Sequence, residues 1–118
     1  MNKRKQEIER RKIVNLIRAS NRHRDCLKCT RNESEAHIRK KFEVYLKLLK
    51  DGWEVYSEAI FKSGKRADII AIREGEGICV EVLESEKYSD CLEKLKNYPK
   101  QLRCMMVKTL ADVERMEL

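Results

Sequence analysis

Apolar positions along this chain fall into periodic blocks, and the period changes near the middle. Over residues 3–19, Ile8, Ile13, Leu16 and Ile17 gather toward one side while Lys and Arg cover most of the rest, which predicts an amphipathic helix. Residues 20–31 are polar and without period, and read as a connection. Ile38, Phe42, Tyr45, Leu46 and Leu49 recur at spacings of three and four, predicting a second helix over 33–50. Asp51-Gly52 ends it, with glycine in its usual C-terminal place. From Trp53 the period becomes two. The run WEVYSEAI (53–60) alternates and is rich in aromatic and β-branched residues, so it predicts a strand. FKSGK is a turn, ADIIAI (67–72) a second strand, REGEG a tight turn and ICVEVL (78–83) a third strand. Residues 87–97 suit a helix carrying Leu92 and Leu95 and closed by Pro99. LRCMMV (102–107) is a fourth strand, and LADVERME suits a last short helix with Thr109 as N-cap. The predicted order is α-α-β-β-β-α-β, an α/β chain with about four strands flanked by helices.

Charge divides the chain. Residues 1–31 carry eleven Lys and Arg against three Asp and Glu, a net of +8, whereas the remaining 87 residues have a net of −1. A localised basic segment is the electrostatic footprint of a nucleic-acid binder; a solvated charged helix is the plain alternative. The candidate DNA contacts are Lys3, Arg4, Lys5, Arg10, Arg11, Lys12, Arg18, Arg22 and Arg24. The composition thus predicts two parts, a basic helix and connection over 1–31 and an α/β domain over 32–118. No apolar run approaches the roughly 18 residues of a membrane span. MNKRKQEIERRK lacks the apolar core of a secretory signal, which predicts a cytoplasmic protein. A homodimer remains open.

Two acids lie inside apolar strands: Asp68 at the head of the second and Glu81 within the third, flanked by Val80 and Val82. Burying a carboxylate without a partner costs several kcal/mol or forces it to take up a proton. Plain readings exist. Asp68 could terminate the preceding turn beside Lys65 or Arg66, and Glu81 could pair structurally with a lysine. A third acid, Glu35, stands in the first turn of the helix before the strands. It could form a capping box with Asn32, but it also leads the stripe to Ile38 and Phe42 and so points toward the sheet.

This ordered set, with the run GWEVYSEAIFKSGKRADIIAIREGEGICVEV, resembles the PD-(D/E)xK nuclease-like superfamily: the cores of Holliday-junction resolvases, restriction-enzyme-like proteins and their competence-protein relatives. The resemblance covers about residues 33–108. It implies a restriction-endonuclease-like α/β core, with the basic N-terminal helix as an addition. It implies a Mg²⁺- or Mn²⁺-dependent endonuclease acting on DNA, with Asp68 and Glu81 as metal ligands and Glu35 binding the metal directly or through water. Such chemistry has a physical reason, since phosphodiester cleavage needs a divalent ion to activate water and neutralise transition-state charge. The chain departs from the family pattern at Leu83, where a lysine two residues after the strand acid normally shares its face. A lysine arriving from elsewhere would have to be Lys65, Lys87 or Lys62. Otherwise the site is catalytically impaired, and the chain is a nucleic-acid-binding module or a partner-binding structural domain.

Five cysteines are expected to be mostly reduced, and an odd count argues against a complete disulfide framework. His23-x2-Cys26-x2-Cys29, with His37 as a fourth ligand, admits a zinc reading, but the spacing matches no common finger. Cys79, Cys91 and Cys104 read as ordinary buried residues.

Overall fold

The turn between the second and third strands shows how local chemistry sets the sheet. Glu74 and Gly75 both hold positive φ, 52° and 81°. That pairing is the type I′ turn, whose twist matches the right-handed twist of the strands on either side. The hairpin it closes is the centre of the fold. A computed structural model describes residues 1–19 and 23–118; Arg22 therefore lies outside the described residues. Its elements are α1 (Lys3–Val14), α2 (Glu35–Lys50), β1 (Glu54–Ile60), β2 (Arg66–Arg73), β3 (Glu76–Val82), α3 (Tyr88–Leu95), β4 (Leu102–Val107) and α4 (Leu110–Glu114). The protein is α/β, with one four-stranded mixed sheet in the order β1-β2-β3-β4. The first two pairings are antiparallel. β4 runs parallel to β3, which requires a crossover, and α3 supplies it.

Each face of the sheet is covered. Val55, Ile69, Ala71, Ile78, Val80 and Val82 pack with Val44 and Leu48 of α2 and Val113 of α4. On the other face Ile70, Ile72 and Cys79 pack with Ile13 and Ile17 from the N-terminal segment and with Tyr98 beyond α3. α1 approaches so closely that a Cβ at Gly77 would lie 2.7 Å from Ile13 Cδ1 and 2.9 Å from Leu102 Cδ2. The basic segment is thus part of the core's covering.

Three expected elements are corrected. The first helix ends at Val14, not at residue 19: the chain turns at Asn15, and Ile17 forms a bridge with Phe61, with Arg18 N donating to the Ile60 carbonyl at 2.7 Å. The apolar side chains at 16 and 17 continue the sheet edge rather than the helix. In α2 the fully buried positions are Lys41, Val44 and Leu48, whereas Phe42, expected in the stripe, is 43% exposed. The last helix stops at Glu114; Thr109 caps it as expected, in a reciprocal capping box with Asp112.

Candidate functional site

Strand register brings the two strand acids together. Ile69 pairs with Val80, so the next step outward sets Asp68 beside Glu81 where β2 and β3 begin to part. Asp68 Oδ2 accepts from Val82 N at 2.7 Å, taking over a backbone donor that the ladder leaves there. Glu81 is 2% exposed. Its Oε1 accepts from the Tyr98 hydroxyl at 2.7 Å, and its Oε2 lies 3.6 Å from Lys94 Nζ of α3. Burial, and next the negative charge of Asp68, push the Glu81 carboxyl up to about 8, while Tyr98 and Lys94 pull it the other way. For Lys94, burial works against the charge, but Glu81 and Asp68 outweigh it and raise its pKa. Asp68, Glu81 and Lys94 line a polar cavity of about 360 Å³, with Glu33, His37, Glu84 and Glu86 around the rim.

A second polar group backs this cavity. Lys41 is fully buried, with Nζ 2.8 and 2.9 Å from the two carboxylate oxygens of Glu33 and 2.9 Å from Glu58 Oε1. Burial disfavours the Glu33 charge, but the Lys41 ammonium, the Thr30 N–H and His37 outweigh it and hold Glu33 down at about 2. His37 Nδ1 lies 2.6 Å from Glu33 Oε2, and His37 Nε2 lies 3.1 Å from the Val82 carbonyl and 3.8 Å from Asp68 Oδ2. Glu58 sits at a gap in the β1–β2 ladder, between the pairs Ser57–Ile69 and Ala59–Ala67, and its φ is 49°. A left-handed backbone at a residue with a Cβ costs roughly 1–3 kcal/mol and persists only when its surroundings hold it. Here the Lys41 contact holds it.

The sequence-based candidates fare unequally. Asp68 and Glu81 meet. Glu35 does not join them: its side chain is 77% exposed and pairs with Arg39 at 2.5 Å. The helix N-cap is Ser34, which accepts from His37 N at 3.0 Å, so neither Asn32 nor Glu35 forms the expected capping box. The helix-start acid at the cavity is Glu33, two residues earlier. The signal that points to it is the four-residue repeat Glu33-His37-Lys41, which sets one polar stripe along the start of α2. Lys65 and Lys62 sit exposed in the β1–β2 turn, and Lys87 is the exposed N-cap of α3; none lines the cavity. Lys94 does. It follows Cys91 by three residues and precedes Tyr98 by four, the inward side of α3, a spacing visible in the sequence once that face is known. Leu83 is 1% exposed, a packing residue whose N–H donates to the Val107 carbonyl at 2.8 Å.

Among the described residues no group of three His, Cys, Asp or Glu is placed to hold a metal ion. His37, the expected fourth zinc ligand, is engaged by Glu33 and Val82. For a harder ion the donor chemistry of the cavity does fit. Mg²⁺ takes one or two carboxylates and keeps several waters, and Asp68 and Glu81 offer two oxygen donors from adjacent strands at a roomy polar wall. Glu33 is already committed to Lys41 and His37.

The cations of the basic segment differ in role. Arg10 is half-buried, with Nε 2.7 Å from Glu54 Oε1. Arg11 and Lys12 pair with Glu7 and Glu9 within α1, and Arg24 lies 3.7 Å from both Asp25 and Glu54. Arg18 donates to the Lys62 carbonyl at 3.2 Å. Lys3, Arg4 and Lys5 are exposed. Comparison with protein-family models, with curated proteins and with solved structures finds no match for the chain. No described helix is long and apolar enough to cross a membrane.

Proposed function

We propose that the chain is a nuclease-like DNA-binding domain of the PD-(D/E)xK kind that hydrolyses phosphodiester bonds with a divalent cation. The observation that carries this reading is the meeting of Asp68, Glu81 and Lys94 at one polar cavity, with the Glu81 carboxyl raised to about 8. Two acids held in mutual repulsion are poorly explained as packing, because apolar residues of similar volume would stabilise the sheet more. Asp68 and Glu81 would hold Mg²⁺ or Mn²⁺, which when bound there neutralises phosphate charge and activates water for attack.

The chain's own groups supply the rest. Tyr98 and Lys94 orient Glu81 from opposite sides, one on each carboxylate oxygen. Lys94 offers the cation that Leu83 does not, beside the acid, for placing the attacking water and stabilising charge on the phosphate. Glu33, His37 and Lys41 fix the Asp68 side of the cavity without competing for the ion. The exposed cations of the N-terminal segment favour a polyanionic substrate.

The deciding experiment incubates plasmid, linear and branched DNA with the full chain in Mg²⁺, Mn²⁺ or EDTA. Cleavage is expected with metal and not in EDTA, and Asp68→Asn is expected to abolish it while leaving gel-shift binding intact. Equal cleavage by Asp68→Asn, or none by wild type on any substrate, overturns the catalytic reading.

A further inference from the structure

The cysteines read from the sequence as ordinary core residues are not equivalent. Cys79 on β3 and Cys104 on β4 are register partners in the parallel pairing, and both side chains pack on the sheet face covered by α1 and α3. Adjacent strands lie about 4.8 Å apart, within the roughly 4.4–6.8 Å Cα separation that a disulfide spans. Both thiols are reduced. Their access differs. Cys79 is fully buried, whereas Cys104 is partly exposed and lines a groove with Leu92, Leu95 and Lys96. Cys79 also touches the buried acid: its Sγ lies 3.9 Å from Glu81 Oε1.

We propose that Cys79 and Cys104 are a peroxide-sensitive dithiol that closes to a reversible disulfide across β3 and β4, behind the acid cavity. The proposal does not depend on the nuclease reading. Cys104, the partly exposed partner on the groove, is the thiol that peroxide can reach. Cys104 thiolate attacks one oxygen of hydrogen peroxide. The O–O bond breaks, hydroxide leaves and is protonated to water, and Cys104 becomes the sulfenic acid. The Cys79 thiol then attacks that sulfur. The S–S bond forms, the S–O bond breaks, and the hydroxyl departs as water with the Cys79 proton. Two thiols and one peroxide give one disulfide and two waters; sulfur is oxidised and peroxide reduced. Closure withdraws the Cys79 S–H from Glu81, leaving that carboxyl with Tyr98 and Lys94.

The test treats the reduced full chain with hydrogen peroxide, quenches with catalase, alkylates in denaturant and maps peptides by mass spectrometry. Before alkylation, the expected result is an intact-mass loss of about 2 Da, the two thiol hydrogens. With it comes a Cys79–Cys104 cross-linked peptide that dithiothreitol removes. Cys91→Ser and the Cys26→Ser/Cys29→Ser double variant should retain the cross-link. Cys104→Ser, at a partly exposed position, should lose it and leave Cys79 alkylatable. The proposal is overturned if Cys104 gains about 32 Da as sulfinic acid while Cys79 stays a thiol, or if Cys79 is found paired with Cys91.

Discussion

Glu81 occupies the position where a charge is hardest to keep, and its titration should be visible in stability. Its folded pKa, about 8, lies above the ordinary 4.5. Between those values the folded state binds more protons than the unfolded one, so the contribution of Glu81 to stability falls as pH rises through that window and levels off above pH 8. In EDTA, Glu81→Gln should flatten the fall in Tm between pH 5 and 8 and melt a few degrees above wild type at pH 8, measured by circular dichroism. A parallel pH profile for the two proteins would contradict the raised pKa. Lys94→Met is expected to cut cleavage about 10²–10³-fold, the usual loss for one donor aimed at transition-state charge. Lys65→Ala and Lys87→Ala should leave the rate near wild type, because neither lysine lines the cavity. Lys41 is a different case. Its removal strands the Glu33 and Glu58 carboxylates, so Lys41→Met should cost roughly 3–5 kcal/mol in urea unfolding. A near-neutral result would mean that the network contributes little.

At the scale of elements, α1 serves two ends. Its cations other than Arg10 face outward, and Ile13 with the following Ile17 buries against the sheet face that also carries Glu81 and Cys79. Ile13→Ala is therefore expected to destabilise by about 2–5 kcal/mol, as for other buried Ile or Leu truncations. Deleting residues 1–19 should expose Ile70, Ile72 and Gly77 and lower Tm sharply. A loss of DNA binding in that truncation would then not separate contact from folding. The α1–β3 approach gives a cleaner probe, since Gly77→Val must push Ile13 and Leu102 aside and should cost about 1–3 kcal/mol. A Tm unchanged by that substitution would show the packing there to be loose. α3 likewise does more than cross from β3 to β4: one face brings Lys94 and, just beyond the helix, Tyr98 to the two oxygens of Glu81.

For the whole molecule, net charge and its placement decide how DNA would be met. The formal charge is +7, with the excess in the first quarter of the chain. Residues 1–17 are strapped across one sheet face, from the β2–β3 turn, which Met1 and Gln6 contact, to the end of β1 at Ile17. Binding should be largely independent of sequence and fall with salt, with a log–log slope of about −0.9 per phosphate contact. Replacing Lys3, Arg4 and Lys5 together by Gln should weaken binding and shallow that slope with little change in Tm, since all three are exposed. Arg10→Gln should act the other way, lowering Tm through its lost pair with Glu54. Fluorescence anisotropy across a salt series, read beside thermal melts, distinguishes the two; identical slopes for wild type and the triple variant would remove the N-terminal cations from the interface.

The alternation from Trp53 to Leu83, the glycine-bearing turn at 74–75 and the Thr109 cap were legible in the sequence because strand period, turn dihedrals and capping are local properties. So were the two acids, conspicuous for standing among β-branched residues. What the sequence could not show was which groups share a space. Glu33 rather than Glu35 faces the cavity because Ser34 takes the N-cap and turns Glu35 outward to Arg39. Lys94 lies thirteen residues from Glu81 and meets it only because the α3 crossover folds back on β3. Lys41 reads as one more cation in a basic helix, and only the convergence of Glu33 and Glu58 allows its burial. Cys79 and Cys104 became a pair through the register of two parallel strands. Local sequence determined the elements because each depends on neighbours three or four residues away. The chemistry depends on distances between side chains far apart in the chain, and those exist only once both faces of the sheet are covered.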